Sequence, residues 1–552
     1  MPFRLDDVLH MDWAREHSFW DAFDVQRGEI VRSVRPVFAM TIWILTHTAG
    51  IKNYFPWHFV LVGSFLIGLA YAGKTARYIA GDNTALYFST GFFWLAFLPI
   101  LNVLFWFGDL TFTVELMFVA PAWYYGLRGI LEGRLGLWVI AILAGTLAIL
   151  AKEPALLLVH SIFVGTFILF FKEIRKSWSK KTPLLWITAI LLYGIFLGIS
   201  LKLYFVSPTR SNRFFSIGDL SHARLMFFVN DRLRYYSEAL LNPIARLLLV
   251  LPLLYSIIAQ IIRKNRSLNV CLVILISAAL LTFFLVKSVL VFAVILVLAP
   301  LLGFFREKNN KSHKMALLFS ISAIIILGVL LITVMLVKTQ LTELSFVLLV
   351  IAGIYWAHLL KEISTVAKPY LLKKKIIYSF LAVSSMTILA VAYFAAPVIE
   401  AKVRLLSDVR DVRNNANDAI KWLGAHLPQN SEVLVTTPGL YGLGSADEMT
   451  AKDDEYKLYA QYTFLQGYTR SYFRALNRPD ISLGFLEDTV MISRVLDSCR
   501  NLGRYYLFLQ TGLDRDRFHG SINGKKQLRE NDSLLALFSK GPFPSEVWKI
   551  GK

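Results

Sequence analysis

Charged side chains are scarce in this chain. They make up 17% of its 552 residues while 56% are hydrophobic, and a soluble globular protein carries roughly a quarter charged residues. That balance excludes an ordinary soluble domain and predicts a polytopic α-helical membrane protein. Cysteine is nearly absent too. Cys271 sits inside an apolar run and Cys499 in a polar C-terminal region, so neither a disulfide framework nor a CxxC metal site is available. Lysine and arginine outnumber the acids, 58 to 38, for a net charge of +20. They form no patch interleaved with aromatics, which argues against a nucleic-acid partner. They lie instead in short links between apolar runs, where the excess reports topology.

Runs long enough to cross a hydrocarbon core, about 17 to 25 residues, fall near 56–80, 84–106, 113–131, 135–151, 154–171, 183–206, 241–262, 268–286, 288–305, 315–337, 343–360 and 376–397. That makes about twelve spans, with a re-entrant hairpin as an alternative where only Lys287 parts two runs. Alternate links are basic, among them Lys74 with Arg77, Lys172 to Lys181, Arg306 to Lys314 and Lys361 to Lys375. The links between them are poor in base, with Lys152, Lys287 and Lys338 standing singly. Basic links face the cytoplasm. The register therefore puts residues 1–55, the loop 207–240 and the whole region 398–552 on the far side.

The opening stretch, LDDVLHMDWAREHSFWDAFDVQRGEIVRSVRPVFAM, is polar and acid-rich ahead of the first long span. It holds Asp6-Asp7 and Arg35-Pro36, followed by Pro56-Trp57-His58 at the next span's entry and Ala151-Lys152-Glu153-Pro154 at a later span end. In that order, and on one side of the membrane, these motifs resemble the C-type (GT-C) membrane glycosyltransferases. The closest group is the protein O-mannosyltransferase-like enzymes that use polyprenyl-phosphate sugars. The resemblance covers roughly the first 175 residues and extends to the later spans only in number and orientation. It implies an integral membrane enzyme that moves a monosaccharide from a polyprenyl-phosphate donor to a protein, lipid or glycan acceptor at the extracytoplasmic face. Its partners would be that donor, membrane lipid and an unidentified acceptor.

Such a transfer needs a base for the nucleophile and positive charge beside the phosphate leaving group. Asp6 and Asp7 are the candidate bases; the plainer reading makes them caps of an interfacial helix. Asp109 and Glu115 fall in the next outer link, and Glu115 is the better catalytic candidate because it enters an apolar span, where an unpaired carboxylate is costly and usually functional. Asp109 serves equally well as part of a hydrated turn after Gly108. Arg35 brings a planar fork and Lys152 a compact charge for the phosphate. Lys152 and Glu153 pairing with each other is the alternative. His58 is either a further phosphate donor or a structural interfacial histidine. In the loop 207–240, Arg210 and Arg213 stand beside aromatics and suit a lipid phosphate, although an interfacial helix explains the pattern too.

After Pro397 the composition turns polar. Helical spacing over 403–428 and short strands at SEVLVTT, RYYLFLQ and SEVWKI predict a soluble α/β domain of about 150 residues, and it carries no metal-ligand cluster or nucleophile motif. The expected organisation is a catalytic loop over 1–55, a multi-span domain over 56–397 and an extracytoplasmic domain over 398–552 that shapes acceptor entry. No cofactor is expected, since the acids of the opening stretch form no DxD; a divalent metal stays open. A bacterial inner membrane fits a large outward domain without a disulfide framework.

Two other classes compete. A transporter or flippase of lipid-linked glycans should hold ionisable groups near the midplane and show repeated halves, whereas the acids here cluster at span edges. A non-catalytic relative is the third. An arginine-containing tail such as 1–55 is hard to translocate unaided, so one further apolar span is expected upstream of Pro2, for about thirteen in all. An upstream reading frame lacking such a segment refutes that expectation.

Overall fold

The computed structural model describes residues 5–23, 29–30, 33–50, 53, 55–96, 110–178, 183–206, 243–261, 289–306, 310–332, 340–371, 414–415, 417–435, 473, 477–485, 489–500, 505–510, 528–540 and 544–551. Asp109, Arg210 and Arg213, and the expected spans 268–286 and 376–397, lie outside them.

A short helix, α1 (Leu5–Glu16), opens the chain and is followed by a 3-10 turn (Phe19–Phe23) and a two-strand ladder of β1 (Glu29–Ile30) with β2 (Ser33–Val34). Then come α2 (Pro36–Thr48), α3 (Phe55–Ala80), α4 (Asn83–Ala96), α5 (Leu110–Glu132), α6 (Leu135–Ala151), α7 (Ala155–Leu169), α8 (Phe171–Trp178) and α9 (Pro183–Val206). Further helices are α10 (Pro243–Ile261), α11 (Val289–Arg306), α12 (Lys311–Ile332) and α13 (Gln340–Leu371). Their bounds follow the apolar runs closely, because every backbone polar group in hydrocarbon must be satisfied within its own helix. Among the described residues three helices are long and apolar enough to cross a membrane, α3 and segments of α12 and α13, and a fourth if α7 and α8, bent by 81°, form one span. The expectation of about twelve therefore exceeds what the described helices meet by length and composition.

The helices pack through one large apolar core that runs from Phe65 on α3 through Trp123 on α5 and Trp138 on α6 to Phe346 and Tyr355 on α13. The turn between α5 and α6 is tight. Gly133 adopts φ +66° there, and a Cβ on Gly129 would stand 2.6 Å from the backbone nitrogen of Trp138. Only the missing side chain permits that approach.

The C-terminal part is an α/β unit. A helix over 417–426, α14, precedes β3 (Glu432–Val435), and β4 (Ser482–Phe485), α15 (Thr489–Arg500), β5 (Tyr505–Gln510), β6 (Ser533–Phe538) and β7 (Ser545–Lys549) follow. The sheet order is β4-β3-β5-β7-β6, with β3 parallel to β4 and β5, and β7 antiparallel to β5 and β6. The strands expected at SEVLVTT, RYYLFLQ and SEVWKI are β3, β5 and β7. Arg478 fastens the end of α14, donating to the carbonyls of Gly424, Leu427 and Pro428 while both its Nε and Nη2 reach Asp480. A cation suits the negative end of a helix, and the guanidinium holds the Asp480 carboxyl below the usual range, at about 2.

A second apolar cluster joins this unit to the first helices. It contains Met11 and Ala14 of α1, Phe38 and Ile42 of α2, Trp57 and Leu61 of α3, and Ile420, Val433, Phe508 and Val547 of the C-terminal unit.

The tight α5–α6 turn generates a prediction. Gly129→Ala forces a methyl group against backbone that cannot swing aside, at a cost of about 1–3 kcal/mol. Thermal unfolding in detergent should show it, while Gly136→Ala, with nothing within 4 Å of its added methyl, should be neutral or slightly stabilising.

Candidate active site at one end of the helix bundle

Each charged group of the site is placed by a local feature of its sequence. Pro36 occupies the first helical position of α2, where its fixed φ is pre-organised and its missing N–H costs nothing. The residue before a proline is driven out of the helical region, and Arg35 is extended accordingly, at φ −134° and ψ 69°. Its side chain leaves the helix start free to reach across the fold. Lys152 terminates α6: it is extended at φ −163°, while its N–H still donates to the carbonyl of Ala148. Pro154 then begins the next turn. Glu115 lies one turn into α5, and Glu343 lies in the first turn of α13.

These elements converge. The Lys152 ammonium donates to the Glu343 carboxylate, stands 3.9 Å from Oε2 of Glu115, and lies over the Phe112 ring at 3.0 Å from its centroid. Glu115 is fully buried, and Lys152 and Glu343 are nearly so. Next to them Arg35 uses Nε and Nη2 to hold Oε2 of Glu153, at 3.3 and 3.1 Å. That leaves Nη1 unbonded among the described residues. Glu153 follows Lys152 directly in the chain, so the two ion pairs adjoin.

Four residues singled out in the sequence, Arg35, Glu115, Lys152 and Glu153, thus meet in one place. Lys152 and Glu153 do not pair with each other: each takes a partner from a different part of the chain. Asp6 and Asp7 fall in the first turn of α1, inside the helix rather than ahead of it. On the same helix His10 is buried, edge-on to Phe38 at 5.1 Å, with no hydrogen-bond partner for Nδ1 among the described residues. Burial first, and then the charge of Arg35, lower its pKa to about 3, so it stays a neutral ring beside the site. His58 is half-buried in the first turn of α3.

Glu343 was not singled out. Its signal was a carboxylate entering the apolar run 343–360, the same signal that marked Glu115. Among the described residues no group of three or more His, Cys, Asp or Glu side chains is arranged to hold a metal ion.

No family model matches this chain, and no curated protein matches it. Among solved structures, the crystal structure of ArnT from Cupriavidus metallidurans bound to undecaprenyl phosphate is similar over 98% of this chain and 93% of its own, at 12% identity and a TM-score of 0.37. At that score the likeness assigns no residue here a role.

Removing one partner of a buried ion pair leaves the other charge uncompensated, which costs about 3–5 kcal/mol. Lys152→Met should therefore destabilise the protein by that much in detergent unfolding, and adding Glu343→Gln should recover part of the loss. Equal unfolding of parent and Lys152→Met would show that the cluster holds nothing together.

Proposed function

We propose that this protein is an integral membrane glycosyltransferase, moving a monosaccharide from a polyprenyl-phosphate donor to an acceptor hydroxyl or amine. The observation that carries the reading is the meeting of buried Lys152 and Glu115 with half-buried Arg35 and Glu153, brought from widely separated stretches of chain. Two cations held at the end of an apolar bundle suit a substrate whose phosphate sits at the membrane surface and whose tail stays in lipid. A buried ionisable cluster at such a place is costly, and that cost marks function by default.

Arg35 has the geometry for the phosphate. Glu153 occupies one edge of the guanidinium and orients it, and Nη1, unbonded among the described residues, addresses the leaving oxygen. Lys152 adds a second positive charge to the phosphate as the sugar–oxygen bond breaks. Asp6 or Asp7, on the helix packed against α2, takes the proton from the acceptor. The donor phosphate leaves with the electron pair of the broken bond, and the acceptor oxygen or nitrogen forms the new one.

The positive-inside register places this site on the extracytoplasmic face, with the C-terminal α/β unit on the same side. The apolar cluster shared by α1, α2 and that unit supports its seat over the site, where it shapes acceptor entry. The membrane in this reading is a bacterial inner membrane. No cofactor takes part in the steps above.

Transfer from a panel of radiolabelled polyprenyl-phosphate sugars by membranes carrying the full chain tests the reading. One of Asp6→Asn and Asp7→Asn should lose about 10²–10⁴-fold in rate, and Arg35→Ala about 10²–10³-fold, at unchanged expression. Full activity in both aspartate variants would remove α1 from the chemistry.

A further inference from the structure

One ammonium does not balance two carboxylates. Arg35 and Glu153 cancel each other at 3.1 Å, which leaves Lys152 facing both Glu115 and Glu343 with one negative charge in excess. The place is dry: Glu115 is 0% exposed. A buried carboxylate needs hydrogen-bond donors, yet neither Oε1 nor Oε2 of Glu115 receives one from the described residues. What Glu115 shares with the Glu343 carboxyl is one ammonium, that of Lys152, which contacts both. Two carboxyl groups buried on one ammonium are neutral together with it only when one of them carries a proton. A shared proton restores neutrality and supplies the missing donor at once.

The other groups around the pair do not change this count. Phe112 contributes a ring face under Lys152. On α3 the approach to the backbone just after Glu115 is made by Gly68, whose Cβ would stand 3.0 Å from the carbonyl of Leu116. From α1, His10 adds no charge near neutral pH.

We propose that Glu343 occupies the place of the donor phosphate on Lys152 in the empty site, and that the Glu115–Glu343 pair takes up one further proton when a polyprenyl phosphodiester displaces it. This rests on the reading of Lys152 as a phosphate ligand. In the empty site one proton lies between the two glutamates, and Glu343 keeps its negative charge against Lys152. The arriving phosphodiester carries one negative charge and takes the ammonium. The released Glu343 carboxylate is then buried without a counter-ion, and it is neutralised by a proton from solvent, forming one O–H bond. The pair becomes two neutral acids, one donating to the other. Buried charge is conserved through the exchange, because the anion gained is matched by the proton gained. The structure thus assigns Glu343 a positioning role: it holds Lys152 in a dry site until a substrate anion of the right kind replaces it.

The probe is the methyl phosphodiester of a short polyprenol, which has no titratable group near neutral pH, so any proton taken up belongs to the protein. Titration calorimetry of the full chain in buffers of different ionisation enthalpy should show uptake of about one proton per diester bound. Binding should tighten as pH falls, by at most about tenfold per unit for one proton taken up. Glu343→Gln alone leaves Glu115 as the counter-ion of Lys152 and should still take up a proton, whereas Glu115→Gln with Glu343→Gln leaves no carboxylate to displace, and its uptake should fall near zero. Infrared difference spectra of the parent, which need no variant to fold, should show a protonated carboxyl band growing on binding. Binding by the parent without proton uptake, or equal uptake in the variant lacking both glutamates, overturns this inference and leaves the donor-site reading standing. No binding of the diester by the parent overturns both.

Discussion

The buried ammonium of Lys152 is the constraint around which one end of this molecule is built. An unpaired lysine in a dry, apolar interior is untenable, so α5 and α13 must each bring a carboxylate to the point where α6 ends. The extended backbone at Lys152 and the proline two residues later stop α6 where the side chain can be met. With α5, α6 and α13 fixed there, Arg35 at the start of α2 closes the group by pairing with Glu153. Placement of the apolar helices and placement of the charges are then one problem with one solution.

The opposite end shows the same logic with milder consequences. Lys314 on α12 pairs with Glu173 on α8, and the Ser312 hydroxyl donates to the carbonyl of Ile79 at the end of α3. Arg128 and Arg134 both meet Glu132 at the α5–α6 turn. Residues that the basic-link register assigns to one side of the membrane meet each other, and residues assigned to the other side do likewise. The pairs at this end are partly exposed and worth little individually. Those at Lys152 are buried, and there removal of a partner is expensive.

Much of this was legible in the sequence where one strong local rule acted alone. Apolar run length set α3, α6 and α9, and Pro36 and Pro154 marked the turns that carry Arg35 and Lys152. Glu115 stood out as a carboxylate entering hydrocarbon. Glu343 escaped because its run was read for length only, and a lysine's partner 191 residues away leaves no mark in local pattern. The strands β4 and β6 escaped for a different reason: SLGF has a glycine at its centre, and SLLALF is apolar without alternation, with Leu534 and Leu537 exposed. Pairing to β3 and β7 makes them strands, and pairing is not a local property.

The central claim is that Lys152 and Arg35 together hold the donor phosphate. A structure of the full chain in lipid nanodiscs with a polyprenyl phosphodiester bound tests it most directly. The account predicts phosphate oxygens within hydrogen-bonding distance of Lys152 Nζ and Arg35 Nη1, with Glu343 released from the lysine and turned toward Glu115. A phosphate bound elsewhere, with the Lys152–Glu343 pair intact beneath it, would contradict the account.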